Sequence, residues 1–229
     1  MRFTTIFFDL DDTLYPSSTG LWAAIKGRMN SYMDERMGIP PAEIPRLREK
    51  YFREYGTTLR GLQAKHNVDV QDFLAYVHDL PLQDYLHPNP IQQKVLAALP
   101  TRNVIFTNAD VPHAQRVLRQ LQIDEYFADI VDVNRVDPYC KPSPEAFKIA
   151  LNIAGESDPS KCVMIDDLSH TTRAAKDFGM YGILYGSVLP NHNGSAVSTD
   201  FGAAALNPDM DAAFTDWGRL PGLLNGNRF

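Results

Sequence analysis

The sequence predicts an α/β protein built on a doubly wound parallel sheet, and three observations carry that reading. Short apolar runs that suit strands buried on both faces recur along the chain, helix-patterned segments with caps separate them, and acidic, hydroxyl and basic residues stand just beyond several of the runs. Strands alternating with helices over 101–185 call for right-handed βαβ crossovers, which put helices on both faces of the sheet.

The first strand is read at 4–10 (TTIFFDL), a β-branched and aromatic run that ends in carboxylates. Further strands are read at 103–107 (NVIFT), 129–133 (DIVDV), 162–165 (CVMI) and 181–185 (YGILY). Asp110 is placed to cap a helix whose apolar face carries Val111, Ala114, Val117, Leu118 and Leu121. A second helix starts at Ser143–Pro144, runs through Phe147, Ile149, Ala150 and Ile153, and stops at Gly155, with Pro inside the start and Gly past the end. A third lies over 171–178 and stops at Gly179.

Residues 17–85 break the alternation, because helical periodicity dominates there and no convincing strand is present. The organisation read is a core of 1–16 and 86–229 with a helical insertion at 17–85. Pro16, Pro81, Pro88 and Pro90 mark the two connections, since proline disfavours continued helix. From Gly186 onward the composition shifts toward Gly, Asn, Ser and Pro, which predicts irregular structure packed on the core or partly mobile.

At 229 residues, with 44% hydrophobic and 22% charged content, the chain can bury one core plus a smaller second unit and lies far from disordered compositions. The net charge of −6, without a Lys/Arg run, argues against a nucleic-acid polymer as partner but leaves a small anionic substrate open. Cys140 and Cys162 form no metal-binding pair, which fits a reducing cytoplasm, and no stretch approaches the ~20 apolar residues that span a bilayer. The expectation is a cytoplasmic protein, monomer or homodimer, with no membrane partner. His66 and His78 are read as surface residues.

In open α/β sheets ligands bind beyond the carboxyl ends of the strands. Asp9, Asp11 and Asp12 follow the first strand, Thr107 and Asn108 the second, Lys141 precedes the helix begun by Pro144, and Asp166 and Asp167 follow CVMI. Carboxylates converging from two strand ends would repel unless a cation neutralised them, and an oxygen-only set favours Mg²⁺. A phosphorus atom held there could be attacked by Asp9, with Asp11 as acid and base, Thr107 and Asn108 bonding the phosphoryl and Lys141 supplying positive charge. Each residue has an ordinary alternative as a helix cap, turn residue or solvated loop lysine. Their joint placement, in the order one mechanism needs, favours the chemistry.

The segments FFDLDDTL, IFTN, Lys141 in CKPSPEAF, and VMIDD resemble the four motifs of the haloacid dehalogenase superfamily. That resemblance implies a Rossmann-like core, Asp9 as nucleophile, Asp11 as general acid and base, Thr107 as phosphate binder and Lys141 as charge stabiliser. It also implies Mg²⁺ held by Asp9, Asp167 with Asp166 beside it, and the Asp11 carbonyl. The dehalogenases of the superfamily lack a carboxylic acid at the position of Asp11, so this residue argues for phosphate chemistry. The insertion looks like a C1 cap, which closes over the site and selects substrate.

FDLDDTLYPSSTGL, EYGTTLRGL, LPLQDYLHPNP and IFTNADVPHAQRVL resemble the pyrimidine 5′-nucleotidase family. The resemblance implies a small phosphorylated metabolite as substrate, a nucleoside 5′-monophosphate such as UMP or CMP. Tyr55, Thr57 and Arg60 in the cap are candidates to meet base or ribose, against the alternative that they pack cap helices. Two competing readings are a broad sugar-phosphate or phosphoglycolate phosphatase, and a non-catalytic phosphometabolite-binding regulatory protein.

Overall fold

The computed structural model describes residues 2–186 and 208–225. In chain order it contains β1 (Thr5–Phe8), α1 (Leu21–Glu35), α2 (Ile44–Tyr55), α3 (Thr58–His66), α4 (Val70–Val77), α5 (Pro90–Ala98), β2 (Arg102–Phe106), α6 (Val111–Leu121), β3 (Asp129–Val131), α7 (Pro144–Ala154), β4 (Cys162–Asp166), α8 (Ser169–Asp177), β5 (Tyr181–Tyr185), β6 (Ala212–Phe214) and α9 (Leu220–Leu224). The six strands form one sheet in the order β3-β2-β1-β4-β5-β6, and every pairing is parallel. This is the doubly wound arrangement, with its switch point at β1.

Burial explains why the strand sequences are near-continuously apolar. Ile6 and Phe8 join one core cluster, with Ile105, Ile165 and Ile183, while Phe7 joins the other, with Val104, Phe106 and Met164. Successive side chains point to opposite faces, and helices cover both. β1, β2 and β3 end at Phe8, Phe106 and Val131, short of the sequence-based limits, although the Asp9 and Thr107 N–H groups still bond across to β4 and β3.

The insertion carries α1–α4 between β1 and the helix α5 that leads to β2. These helices share a third apolar cluster, with Tyr32, Met33, Ile44, Tyr51, Leu62, Phe73 and Val77 at its centre. Gly61 allows α2 and α3 to approach: a Cβ there would lie 2.2 Å from the Tyr51 ring. Gly56 ends α2 at φ +82, and a Cβ on it would lie 2.8 Å from Cys140 Sγ, so the turn between α2 and α3 is seated directly on the segment that leads into Lys141.

The C-terminal region corrects the expectation of irregular structure. Residues 212–214 add β6 to the sheet edge beside β5, and Trp217, Leu220 and Leu224 are buried in the main core. Trp217 stacks on Phe8 with ring centroids 6.3 Å apart. The part of that expectation concerning 187–207 and 226–229 lies outside the described residues.

Candidate active site

The sheet itself assembles the carboxylates. The Asp9 N–H donates to Ile165 O at 2.8 Å, which continues the β1–β4 ladder by one residue and sets Asp9 beside Asp166 and Asp167. Ligand oxygens of these three residues lie within 4.8 Å of one another. Lys141, 3% exposed, reaches the cluster from the loop before α7 and bridges Asp9 Oδ1 at 2.6 Å and Asp166 Oδ2 at 2.7 Å. The second Asp9 oxygen accepts the Thr13 hydroxyl at 3.0 Å, and Asp166 Oδ1 accepts the Leu168 N–H at 2.9 Å.

The electrostatics follow from placing one cation among several buried carboxyls. Burial, then repulsion from Asp166 and Asp11, push Asp9 up to about 7 even with Lys141 opposing. Burial, then Asp9 and Asp166, push Asp167 up to about 8, while burial and Asp11 raise Asp12 to about 6. Burial works against the charge of Lys141, but attraction to Asp166 and Asp9 prevails and holds it above the ordinary lysine range. The cluster therefore carries more negative charge than Lys141 offsets. Its donors are carboxylate oxygens alone, which fits a hard divalent cation better than a soft one.

Thr107 is buried beyond β2, and its hydroxyl oxygen accepts the Ala109 N–H at 3.0 Å, leaving its O–H free to donate into the cavity it lines. Asn108 lines the same cavity, and its side chain also serves the backbone of the Lys141 loop. Its side-chain oxygen accepts the Lys141 N–H at 2.9 Å and its amide donates to Lys141 O at 3.1 Å, so it clamps the loop that carries the lysine.

Asp11 is held apart from the metal-type cluster. Burial opposes its ionisation, but the positive field and hydrogen bond of His113 and the hydroxyl of Tyr15 draw it down to about 2. His113 Nε2 lies 2.9 Å and Tyr15 Oη 2.5 Å from Asp11 Oδ1. Neither partner stands out in the sequence. Their only signal is position: Tyr15 follows Asp11 by four residues, and His113 sits in the first turn of α6, whose start faces the same crevice.

His78 corrects the surface assignment. It is 6% exposed, stacks on His113 with centroids 3.9 Å apart, and shares a hydrogen bond with Asp110 Oδ1 at 3.0 Å. Burial, and next the neighbouring His113, push its imidazole below the usual histidine range. His66 is exposed as expected, with Nε2 2.7 Å from the Tyr51 hydroxyl.

A cavity of about 440 Å³ runs from this cluster into the insertion. Its wall from the insertion includes Trp22, Met29, Phe73 and Leu74, with Arg48 and Glu49 supplying polar groups. Arg48 Nη1 donates to Asn30 Oδ1 at 2.9 Å, while its Nε is buried with no protein partner among the described residues. Of the three cap candidates, Thr57 lines the cavity and also caps α3, accepting the Arg60 N–H at 3.1 Å. Tyr55 and Arg60 are not on its wall. Arg60 is buried and donates to Val133 O and Tyr139 O, each at 2.7 Å, and pairs with Asp137, so it fastens the insertion to the Lys141 loop instead of meeting a base. Tyr55 packs edge-on against Tyr51.

The family model for haloacid dehalogenase-like hydrolases matches residues 3–179. Phosphate metabolism protein 8 of Saccharomyces cerevisiae is 31% identical over 193 residues, covering 78% of this chain and 60% of that protein, so the chain spans well under two thirds of that relative's length. Glyceraldehyde 3-phosphate phosphatase of Pyrococcus furiosus is 28% identical over 196 residues, covering 78% of this chain and 79% of that protein. The crystal structure of a predicted phosphoglycolate phosphatase from Haemophilus somnus superposes with a TM-score of 0.61 at 18% identity, over 98% of this chain and 99% of the other, a likeness of fold.

Proposed function

Because the chain belongs to the haloacid dehalogenase-like hydrolases, we propose that it is a phosphomonoester hydrolase that works through an aspartyl-phosphate on Asp9. The single observation that carries the reading is the convergence of Asp9, Asp166, Asp167 and Lys141 at the switch point of the sheet. Asp11 supports phosphate over carbon–halogen chemistry, since it provides the carboxyl needed to protonate a departing alcohol.

Asp9, Asp167, Asp166 and the Asp11 carbonyl would hold magnesium, which would supply positive charge to the phosphoryl oxygens. Asp9 attacks phosphorus while the bond to the alcohol oxygen breaks, and Asp11 gives that oxygen its proton. Thr107 donates its hydroxyl to a phosphoryl oxygen, and Lys141 offsets charge that builds on the transferring group. Asp11 then takes a proton from water as it attacks phosphorus, which releases phosphate and restores Asp9. Residues 17–85 act as the cap over this reaction, on a core of 1–16 and 86–229.

For the substrate we propose a pyrimidine nucleoside 5′-monophosphate, UMP or CMP, handled by a cytoplasmic enzyme. A cavity of about 440 Å³ lies in the range of small-ligand sites. The apolar side chains that the insertion adds to its wall suit a flat ring, and Arg48 Nε, without a partner among the described residues, suits a ring carbonyl. Turnover of UMP, CMP, ribose 5-phosphate, phosphoglycolate and glyceraldehyde 3-phosphate with Mg²⁺ tests the assignment. The expected result is highest kcat/KM on UMP or CMP, abolished by EDTA and by Asp9→Asn; preference for phosphoglycolate or a sugar phosphate rejects the nucleotide reading.

A further inference from the structure

The proposed chemistry asks most of Asp11, whose carboxyl must give a proton to the departing alcohol and later take one from water. Two side chains set its placement. The Tyr15 hydroxyl donates to Oδ1 at 2.5 Å, and His113 Nε2 lies 2.9 Å from the same atom. Oδ1 accepts whether the carboxyl is ionised or carries a proton on Oδ2, so Nε2–H is the donor in both states. Both donors land on Oδ1, and among the described residues no protein group donates to Oδ2.

His113 is packed among these groups, although its Nδ1 is buried with no protein partner among the described residues. It is 1% exposed and lies nearly parallel to His78, at 14° and 3.9 Å between centroids. Asp110 Oδ1 takes the His78 Nδ1 contact at 3.0 Å and accepts the His113 backbone N–H at 3.3 Å, and Arg116 Nη1 donates to His78 O at 2.8 Å. Burying two imidazoles, a phenol and two carboxyls is costly unless their polar atoms are matched. The hydrolysis described above uses only one of the five.

We propose that His113 and Tyr15 are positioning residues for the acid–base step: by holding Oδ1 they turn Oδ2 toward the substrate oxygen, with His78 and Asp110 as the brace behind His113. The inference rests on the reading of Asp11 as general acid and base. The proton enters with the substrate: Oδ2 takes it from the monoprotonated phosphate as the ester binds and passes it to the alcohol oxygen as the phosphorus–oxygen bond breaks, while Oδ1 keeps both hydrogen bonds throughout.

The test exploits leaving-group chemistry. A departing alkoxide needs the proton, whereas p-nitrophenolate leaves well without it, and kcat/KM covers the steps up to that departure. We compare p-nitrophenyl phosphate with the fastest alkyl ester among UMP, CMP, ribose 5-phosphate and phosphoglycolate, in wild type, Tyr15→Phe, His113→Ala, His113→Gln and Asp11→Asn. In Tyr15→Phe and His113→Ala the alkyl ester should lose about tenfold more than the aryl ester, a fraction of the roughly 10²- to 10⁴-fold that general acid–base catalysis supplies. His113→Gln, whose amide can donate from the same place, should recover much of that ratio. Tyr15→Phe keeps the buried ring, so the test survives a His113→Ala protein that fails to fold. Equal losses on both esters in Tyr15→Phe and His113→Ala, alongside a selective loss in Asp11→Asn, would overturn the positioning role alone. Equal losses in Asp11→Asn would overturn the general-acid reading and this inference with it.

Discussion

Removing divalent metal should make this protein less stable as pH rises through neutrality, the reverse of the behaviour expected of well-paired carboxylates. Burial and mutual repulsion raise Asp9 from 3.8 to about 7 and Asp167 from 3.8 to about 8. Each group holds its proton more tightly folded than unfolded, so the stability it contributes is full at low pH and is lost as pH climbs through the folded value. Every extra proton held by the folded state corresponds to ~1.4 kcal/mol per pH unit. With one to two protons involved, the slope between about pH 5 and 7 is ~1–3 kcal/mol per unit. At ~2–4 °C per kcal/mol for a chain of this size, the melting temperature in EDTA should fall roughly 3–10 °C per pH unit. Melts followed by circular dichroism from about pH 5.5 to 7.5, in EDTA and in saturating Mg²⁺, read this directly. Magnesium should flatten the slope, so that its stabilising effect grows with pH, and Asp167→Asn should flatten part of it without metal. A melting temperature in EDTA that is level or rises over this range, or a magnesium shift of constant size, would refute the electrostatic account. Asp11, drawn down to about 2, works in the opposite sense and costs stability only as pH falls below about 4.

Other substitutions test how the insertion and the C-terminal strand support the site. Arg60→Met strands Val133 O and Tyr139 O and should cost ~2–4 kcal/mol in urea unfolding, with little of it from the ion pair to the exposed Asp137. Gly56→Ala places a Cβ 2.8 Å from Cys140 Sγ at φ +82 and should lower turnover along with stability by ~1–2 kcal/mol or more. The control Gly38→Ala, at φ +66 with open space around it, should lose stability alone. Trp217→Ala removes a ring buried against Phe8, Tyr185 and Phe214 and should cost ~3–5 kcal/mol, a drop of at least ~6 °C in calorimetry.

The convergence of the candidate groups was legible because the doubly wound fold turns sequence position into spatial position. A residue just after a buried strand lies at one edge of the sheet, so Asp9, Thr107 and Asp166 could be gathered from local signals alone. Residues whose role depends on contacts across the chain were not. His113 and His78 are 35 positions apart in sequence (113 − 78) yet stacked face to face, and no periodicity marks such a pair. Arg60 reads as a plausible ligand contact until its partners 73 to 79 residues away are known. β6 escaped notice because three residues, AAF, carry almost no strand signal; pairing with β5 makes them a strand. The bonds of Asn108 to the Lys141 backbone were not legible either, since a side-chain amide can serve a loop backbone as readily as a ligand.

The most direct test of covalent chemistry at Asp9 is to trap it. Protein quenched in acid during turnover of p-nitrophenyl phosphate and then treated with borohydride, which reduces an acyl phosphate to an alcohol, should yield homoserine at position 9 in the N-terminal peptide. The same treatment of Asp9→Asn should leave that peptide unreduced. Full turnover with no reduced residue at position 9, or with the label on another carboxyl, would contradict the account.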